Sequence, residues 1–191
     1  MAADIDARRR NARRTLAVLA LICAAPVVAS YAAYYWLHRD ARINYGELDP
    51  RPAPAIVGTA GDGAPWRLAS LHGRWVLLVA AGDACDSRCE DALYATRQAR
   101  TMQGREQERI ARVLLQPAGA VPPASALSEQ HPGLVAVQGD PEQWRSLADG
   151  SADRIFIVDP LGNLVLRYPS EPDIKRLAKD LERLLKASRI G

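Results

Sequence analysis

Cys85 and Cys89 are the two residues of this 191-residue chain whose type and spacing suit chemistry. They enclose the segment Asp-Ser-Arg and follow an apolar run, Trp75 to Ala81, at the point where an amphipathic stretch begins. This order predicts a strand, a tight loop and a helix whose N-terminus carries both sulfurs, where partial positive charge favours thiolate over thiol. Two such thiolates can exchange a disulfide with a partner or hold a soft metal such as Cu(I). A structural disulfide or two buried thiols fit the same spacing, so these alternatives stay open.

The residues around the pair predict that the two sulfurs differ in exposure and therefore in role. Small and apolar residues recur at helical spacing after Cys89, namely Ala92, Leu93, Thr96 and Ala99. Cys89 shares this inward face, so we expect Cys85 to be the exposed, attacking sulfur and Cys89 the resolving one. Four acidic residues, which oppose thiolate formation, lie close by in the sequence: Asp83, Asp86, Glu90 and Asp91. They could recognise a basic partner, although a solvated charged face is the commoner role.

Residues 15–37 form an uncharged, mostly apolar run that is long enough to cross a bilayer core of about 30 Å as a helix. The residues before it, 1–14, hold five arginines and two aspartates, and we interpret them as a cytoplasmic basic tail. The positive-inside rule then places the rest of the chain on the other side of the inner (cytoplasmic) membrane, in the periplasm. A cleaved signal peptide is the alternative, but the run is longer than such signals usually are. Cys23 lies inside the run and is interpreted as a small apolar residue there.

The charge balance argues against a nucleic-acid partner. The tail carries five of the 25 basic and two of the 22 acidic residues, so the chain after residue 37 holds twenty of each. A neutral balance gives no basic surface for nucleic acid. The expected partners are therefore the membrane, through residues 15–37, and a protein client. The periplasm is an oxidising space, which favours a redox role or a disulfide for the cysteine pair.

Residues 38–55, with alternating prolines, are predicted to be an extended spacer, and residues 56–191 a single domain. Within the domain we predict a hairpin (58–70), a strand (75–81), the helix that begins at the cysteines, and a second strand (110–115). A loop-rich stretch (117–132), a short helix (141–147), a second hairpin (154–168) and a closing helix capped by Ser170 follow. The order predicts an α/β fold of the thioredoxin type, with a mixed sheet between helices, preceded by one N-terminal transmembrane helix.

Three parts of the chain together resemble the Sco/SenC proteins. They are Leu71 to Leu78 leading into C-x-x-x-C, the stretch from Arg154 to Asn163 (RIFIVDPLGN), and the single N-terminal anchor. Sco/SenC proteins are membrane-tethered thioredoxin folds that serve the copper sites of cytochrome oxidase, either by carrying copper or by reducing the cysteines that will hold it. The resemblance implies copper as the ligand to consider and a respiratory oxidase subunit, or another cysteine-bearing protein, as the client.

This chain departs from the Sco/SenC pattern at the end of the strand, where Ala80-Ala81-Gly82 replaces an aromatic-rich segment, and at two further places. Asp86 and Glu90 follow the cysteines where the family usually has proline. The family also has a copper-binding histidine shortly before the strand at Ile155, where this chain has Ser151-Ala152-Asp153-Arg154. Its three histidines, His38, His72 and His131, stand elsewhere and are expected at the membrane edge, in a solvated turn and in a loop. His131 could be a ligand only if its loop folded over Cys85.

The cysteine pair and the resemblance to Sco/SenC proteins together imply three candidate functions. The first is a periplasmic thiol–disulfide protein that assists copper-site assembly in cytochrome oxidase through Cys85 and Cys89, possessing a thiol–disulfide oxidoreductase activity. The second is a copper chaperone in which the same two cysteines hold Cu(I). The third is a scaffold with a structural disulfide, although a disulfide that closes so short a loop stabilises less than one that closes a long loop.

Overall fold

The computed structural model describes residues 2–37, 44–121, 129–148 and 154–188. The chain divides into two units, Met1–Ile43 and Asn44–Gly191. In the first unit, helix α1 (Ala2–Leu37) includes Pro26. Its segment Arg13–Ala33 is long and apolar enough to cross a membrane. The predicted N-terminal apolar helix is thus confirmed, and Cys23 is exposed on it.

The second unit is built on one eight-stranded sheet. The strands are β1 (Glu47–Pro52), β2 (Val57–Ala60), β3 (Pro65–Arg67), β4 (Trp75–Ala80), β5 (Ile110–Pro117), β6 (Leu134–Gly139), β7 (Arg154–Val158) and β8 (Asn163–Tyr168). The described residues of this unit also include the helices α2 (Ser87–Thr101), α3 (Pro141–Ala148) and α4 (Ile174–Ala187), and the 3₁₀ turns Leu68–Leu71 and Gly104–Arg109. The strand order is β1-β8-β7-β4-β5-β6-β2-β3. Strands β4, β5 and β6 are parallel to one another, and the other pairs are antiparallel. The predicted mixed sheet is confirmed.

Strand β4 lies at the centre because its side chains are apolar on both faces, and all six of its residues are buried. Trp75, Leu77 and Val79 face the cluster that also contains residues of α2 and α4. Val76, Leu78 and Ala80 face the opposite cluster, against which Trp144 of α3 packs. Helices therefore cover both faces of the sheet, as a strand without polar alternation requires.

The structure corrects the predicted spacer. Residues 47–52 were expected to be free of the domain, but they form β1 and pair with β8. Prolines are tolerated there because β1 is an edge strand, where a missing N–H need not break the ladder. The pairing register shifts between Leu48 and Arg51, around Pro50. The same extended backbone that suggested a spacer thus serves as an outer strand.

Two further expectations need correction. Strand β6 was not predicted, because Leu134 to Gly139 follows a proline-rich stretch and is short. Helix α4 is capped by Asp173, whose side chain accepts a hydrogen bond from the backbone N–H of Arg176, and not by Ser170. The predictions for His38 and for Ser151 to Asp153 concern residues outside the described ranges.

Candidate redox site at the start of helix α2

The cysteine pair lies where β4 ends and α2 begins. Cys85 and Cys89 form a disulfide, with their Cα atoms 5.1 Å apart. Cys89 is fully buried, whereas Cys85 is half-buried at the edge of the same apolar cluster. The sequence predicted this placement, since Cys89 lies on the inward face of α2. After reduction, Cys85 is therefore the sulfur that a partner can reach first; the catalytic roles themselves stay a prediction.

Asp86 caps helix α2 between the two cysteines. Its Oδ1 accepts hydrogen bonds from the backbone N–H groups of Arg88, at 3.1 Å, and of Cys89, at 3.2 Å. Its Oδ2 lies 3.8 Å from the Arg88 Nε. The carboxylate thus occupies the N–H groups that would otherwise favour negative charge on a nearby sulfur. In the sequence analysis Asp86 is one of four acidic neighbours of the cysteines, and the signal that identifies its further role is an Asp directly before a helix.

A second loop supports the cysteine loop from the side. The Val121 backbone N–H donates to the Asp83 carbonyl at 2.8 Å, and the Ala81 N–H donates to the Leu115 carbonyl at 2.9 Å. Gln116, which is buried at the end of β5, places its Nε2 3.4 Å from the carbonyl oxygens of Gly82 and Val121. No sequence pattern indicates this role, because a glutamine near the end of a strand is usually exposed.

Arg112 and His131 form a buried polar pair beside α2. The Arg112 Nη2 donates to the Leu93 carbonyl at 2.8 Å and lies 3.2 Å from the His131 Nδ1. Both side chains are at least 96% buried. Burial, followed by the neighbouring Arg112 and Arg97, lowers the pKa of His131 to about 4, so the ring is neutral and can accept the bond. Burial also lowers the pKa of Arg112, to about 10, with Arg100 and Arg97 adding to the shift. His131 therefore packs against Arg112 as a hydrogen-bond acceptor.

Within the described part of the chain, the donors that a copper site would need are not brought together. Among the described residues, no group of three or more His, Cys, Asp or Glu side chains is placed to hold a metal ion. His72 is exposed, and its ring lies beside Gly162, a residue of the turn between β7 and β8. Arg154, the first residue of β7, pairs with Ala80 at the end of β4, so β7 begins next to the cysteine loop. The segments 122–128 and 149–153, which lie outside the described ranges, contain no histidine or cysteine in the sequence.

Comparisons with known proteins agree with this architecture. The chain is similar to apo Sco1 from Thermus thermophilus, with 23% identity, a TM-score of 0.57, and coverage of 75% of this chain and 95% of that one. For yeast Sco1 with copper bound, the values are 14%, 0.60, 73% and 96%. For BsSco, described as a member of the Sco family of cytochrome c oxidase assembly proteins with a disulfide switch, they are 11%, 0.58, 75% and 98%. The comparison with curated proteins finds no match.

At these identities the structural matches establish the fold, and the resemblance to Sco/SenC proteins is confirmed at that level. A family model, described as the transmembrane-like, thioredoxin-like, C-terminal domain, matches residues 75–188. That range runs from the first residue of β4 to the end of α4 and includes the cysteine pair. The chain therefore belongs to the transmembrane-like, thioredoxin-like C-terminal domain family.

Proposed function

We propose that the protein is a membrane-tethered thiol–disulfide protein that reduces a cysteine pair in a client, with a copper-site subunit of cytochrome oxidase as the first candidate. The observation that carries this proposal is the asymmetry of the Cys85–Cys89 disulfide, in which one sulfur is half-buried and the other fully buried. The client class is suggested by BsSco, which is described as belonging to a family of cytochrome c oxidase assembly proteins. The fold likeness to Sco1 supports the same assignment.

The reaction needs only the two cysteines of this chain. In the reduced protein, the Cys85 thiolate attacks one sulfur of the client disulfide, and the other client sulfur leaves as a thiolate and takes up a proton. Cys89 then loses its proton and attacks the Cys85 sulfur, which releases the second client thiolate and forms the Cys85–Cys89 disulfide. Two electrons pass to the client. A dithiol donor in the same compartment must then reduce the pair again.

The location is part of the proposal. Residues 15–37 would span the inner membrane and residues 1–14 would lie in the cytoplasm, because five arginines precede the apolar run. The unit from Asn44 onward would then lie in the periplasm, where disulfide exchange is permitted. Residues 38–43 would be the connection between the two.

A copper chaperone is the second candidate, because yeast Sco1 has been solved with copper bound on a similar fold. Two thiolates can hold Cu(I), but a stable Cu(II) site usually includes imidazole as well. The described residues offer no such third donor near the cysteines. We therefore derive no step through copper, and a scaffold without chemistry remains the third candidate.

The deciding experiment measures redox equilibrium and metal binding on the purified protein in detergent, with Cys23→Ala in every sample. We expect the pair to interconvert reversibly with a dithiothreitol redox buffer. With oxidised glutathione in place of dithiothreitol, Cys89→Ser should accumulate a mixed disulfide at Cys85, and Cys85→Ser should not form one at Cys89, because Cys89 is fully buried. A pair that does not equilibrate would refute the proposal. Tight Cu(II) binding that requires both cysteines would favour the chaperone. A protein that neither exchanges the disulfide reversibly nor binds Cu(II) would be assigned to the scaffold.

A further inference from the structure

Arg112 is a buried cation without an anion beside it. It is 2% exposed and lies on β5, in contact with α2. Its Nη2 donates to the Leu93 carbonyl at 2.8 Å and to the Thr96 hydroxyl oxygen at 3.3 Å, and the third partner is His131. Burial lowers the pKa of His131 to about 4 and leaves that ring neutral, so all three partners are uncharged. Because a buried charge is costly unless it is paired with its opposite, Arg112 lacks the counterion that such a cation normally has.

Two further arginines, Arg97 and Arg100 of α2, adjoin the same place. The Arg97 Nη1 donates to the carbonyl of Gln130, the residue directly before the histidine. The Arg100 Nε donates at 3.0 Å to the carbonyl of Ile110, two residues before Arg112 on β5. After burial, the positive charges of Arg100 and Arg97 are the causes that lower the pKa of Arg112. The three guanidinium groups are therefore close enough to repel one another.

No carboxylate of the described residues balances these charges. None of the three arginines is within ion-pair distance of an acidic side chain there. The sequence from 122 to 128, which precedes Glu129, contains no acidic residue. Within the described part of the chain, the Arg112 Nη1 has no hydrogen-bond partner, and it is not one of the fully buried atoms left unpaired. This nitrogen is therefore the part of the buried guanidinium that reaches solvent.

The chemistry of this cluster suits an oxyanion. Guanidinium groups bind carboxylate and phosphate oxygens through charge-assisted hydrogen bonds, which are stronger than hydrogen bonds between neutral groups. Arg97 and Arg100 each use a single guanidinium nitrogen in their hydrogen bonds with the described residues, so their other N–H groups remain for a ligand. With three positive charges and no counter-charge, the cluster favours a multiply charged anion over a singly charged one.

We propose that Arg97, Arg100 and Arg112 form a binding site for a small, multiply charged oxyanion, either a phosphate group or a polycarboxylate. Its oxygens accept hydrogen bonds from the Arg112 Nη1 and from the two guanidinium groups of α2, and its charge is the counterion that Arg112 lacks. The site is distinct from the cysteine pair, because Arg97 follows Cys89 by eight residues, or about 12 Å along the helix. The inference therefore does not depend on the proposed function.

The test measures the binding of inorganic phosphate directly. The full chain with Cys23→Ala, in a nonionic detergent, is dialysed to equilibrium against radiolabelled phosphate at mildly alkaline pH, where phosphate carries two charges. Chloride keeps the ionic strength constant throughout the titration, so general screening does not change with the phosphate concentration. A second series with labelled citrate distinguishes a polycarboxylate from a phosphate group, and labelled acetate is the singly charged control.

Substitutions at the partly exposed arginines test the site without disturbing the core. Arg97→Gln and Arg100→Gln should each raise the dissociation constant about tenfold or more, because each removes a charge-assisted contact. Arg97→Lys keeps the charge and should lose less than Arg97→Gln. Arg105→Gln, at an exposed arginine in the 3₁₀ turn after α2, is the matched control, and its effect should be less than about twofold. Arg112→Met should abolish binding; if this variant does not fold, the two variants on α2 decide.

We expect saturable binding of phosphate or citrate, with one anion per chain, and no saturable binding of acetate. Binding of only one of the two anions would support the site and identify its ligand class. The absence of saturable binding for both anions would overturn the proposal. A loss in Arg105→Gln equal to the loss in Arg97→Gln would overturn it as well, because the general positive charge of the surface would then be responsible.

Discussion

The Asp86 Oδ1 lies 3.2 Å from the backbone nitrogen of Cys89, so a carboxylate occupies the helix N-terminus between the two cysteines. Oxidoreductases that act as strong oxidants stabilise a thiolate at this position. In this chain the helix N–H groups are already paired with a fixed negative charge. The arrangement suits a pair that gives electrons away, because the reduced form gains little stabilisation as a thiolate.

Asp86→Asn should make Cys85 more reactive. Asparagine caps a helix as well as aspartate does, so the exchange removes the charge and keeps the hydrogen bonds. The fraction of Cys85 present as thiolate should rise, and alkylation of the reduced protein at neutral pH should speed up about threefold to tenfold. The measurement is the rate of iodoacetamide modification in a Cys23→Ala, Cys89→Ser background.

Asp91→Asn is the matched control, because Asp91 is an exposed acid of the same helix that does not cap it. Its effect should be less than about twofold, since exposed charges are strongly screened. Equal effects of the two substitutions would show that general acidity, and not the cap, controls Cys85. Asp86→Ala should in addition destabilise the fold by about 1 kcal/mol through loss of the cap.

His131 should make the protein less stable in mild acid. The pKa of His131 is about 4 in the folded protein and 6.5 in the unfolded chain. As the pH falls, the unfolded chain therefore takes up the proton first. Stability is therefore unaffected above about pH 6.5 and falls as the pH drops toward 4, by up to about 1.4 kcal/mol per unit. Urea unfolding at several pH values between 7 and about 5 measures this slope before most carboxylates titrate.

His131→Asn keeps an acceptor for Arg112 and removes the titrating group, so its slope should be smaller over the same range. His72→Asn should retain the full slope, because His72 is exposed. If the His131→Asn slope matches that of the unsubstituted protein, other groups cause the acid sensitivity and the prediction is wrong.

The contact between Asp180 of α4 and the backbone N–H groups of Tyr45 and Gly46, just before β1, should be important for stability. Burial and the Asp180 carboxylate raise the pKa of Tyr168 above its ordinary value, so the hydroxyl stays protonated and donates. Asp180→Ala leaves this donor and two backbone N–H groups without their acceptor, and should cost about 2–4 kcal/mol. Thermal unfolding measures the loss.

Gly46→Ala tests the same contact from the other side. An added Cβ would run into the Tyr168 ring, so this small change should destabilise by about 1–3 kcal/mol. Gly61→Ala, at an exposed position where the nearest atom to an added Cβ is 3.9 Å away, is the control. A loss at Gly61 equal to that at Gly46 would mean that the close approach to Tyr168 is unimportant.

Reduction should leave the fold intact. A disulfide between residues four apart closes a very short loop, and the chain-entropy estimate for it is about 2 kcal/mol or less. Far-UV circular dichroism should therefore be unchanged by dithiothreitol, with only a small shift in the urea midpoint. Unfolding on reduction would instead identify the disulfide as structural and would weaken the redox proposal.

The sequence was sufficient for the elements whose pattern is local. The apolar run of β4, the spacing of small residues in α2 and the turn residues between β7 and β8 each specify one structure, and all three were predicted. Cys89 was placed correctly on the inward face for the same reason, because helical spacing determines which side chains share a face.

What the sequence did not reveal depends on contacts between distant segments. Strand β1 is recognisable only through its pairing with β8, and β6 only through its place beside β5. The acceptor role of His131 requires Arg112, which comes from a different element. The lack of a histidine from Ser151 to Arg154 could be judged only through the resemblance to Sco/SenC proteins, because no local pattern defines a copper ligand there.

The sheet begins well before the region that the family match covers. That match starts at Trp75, whereas β1 and β2 lie between Glu47 and Ala60 and cover the outer sides of β8 and β6. A fragment cut at residue 75 would leave the N–H and C=O groups of both strands without partners. Unprotected strands of this kind join to those of other molecules, so such a fragment would tend to aggregate. The segment predicted as a spacer thus covers the β8 edge and leaves as the outer strand one whose Pro50 and Pro52 have no N–H to donate.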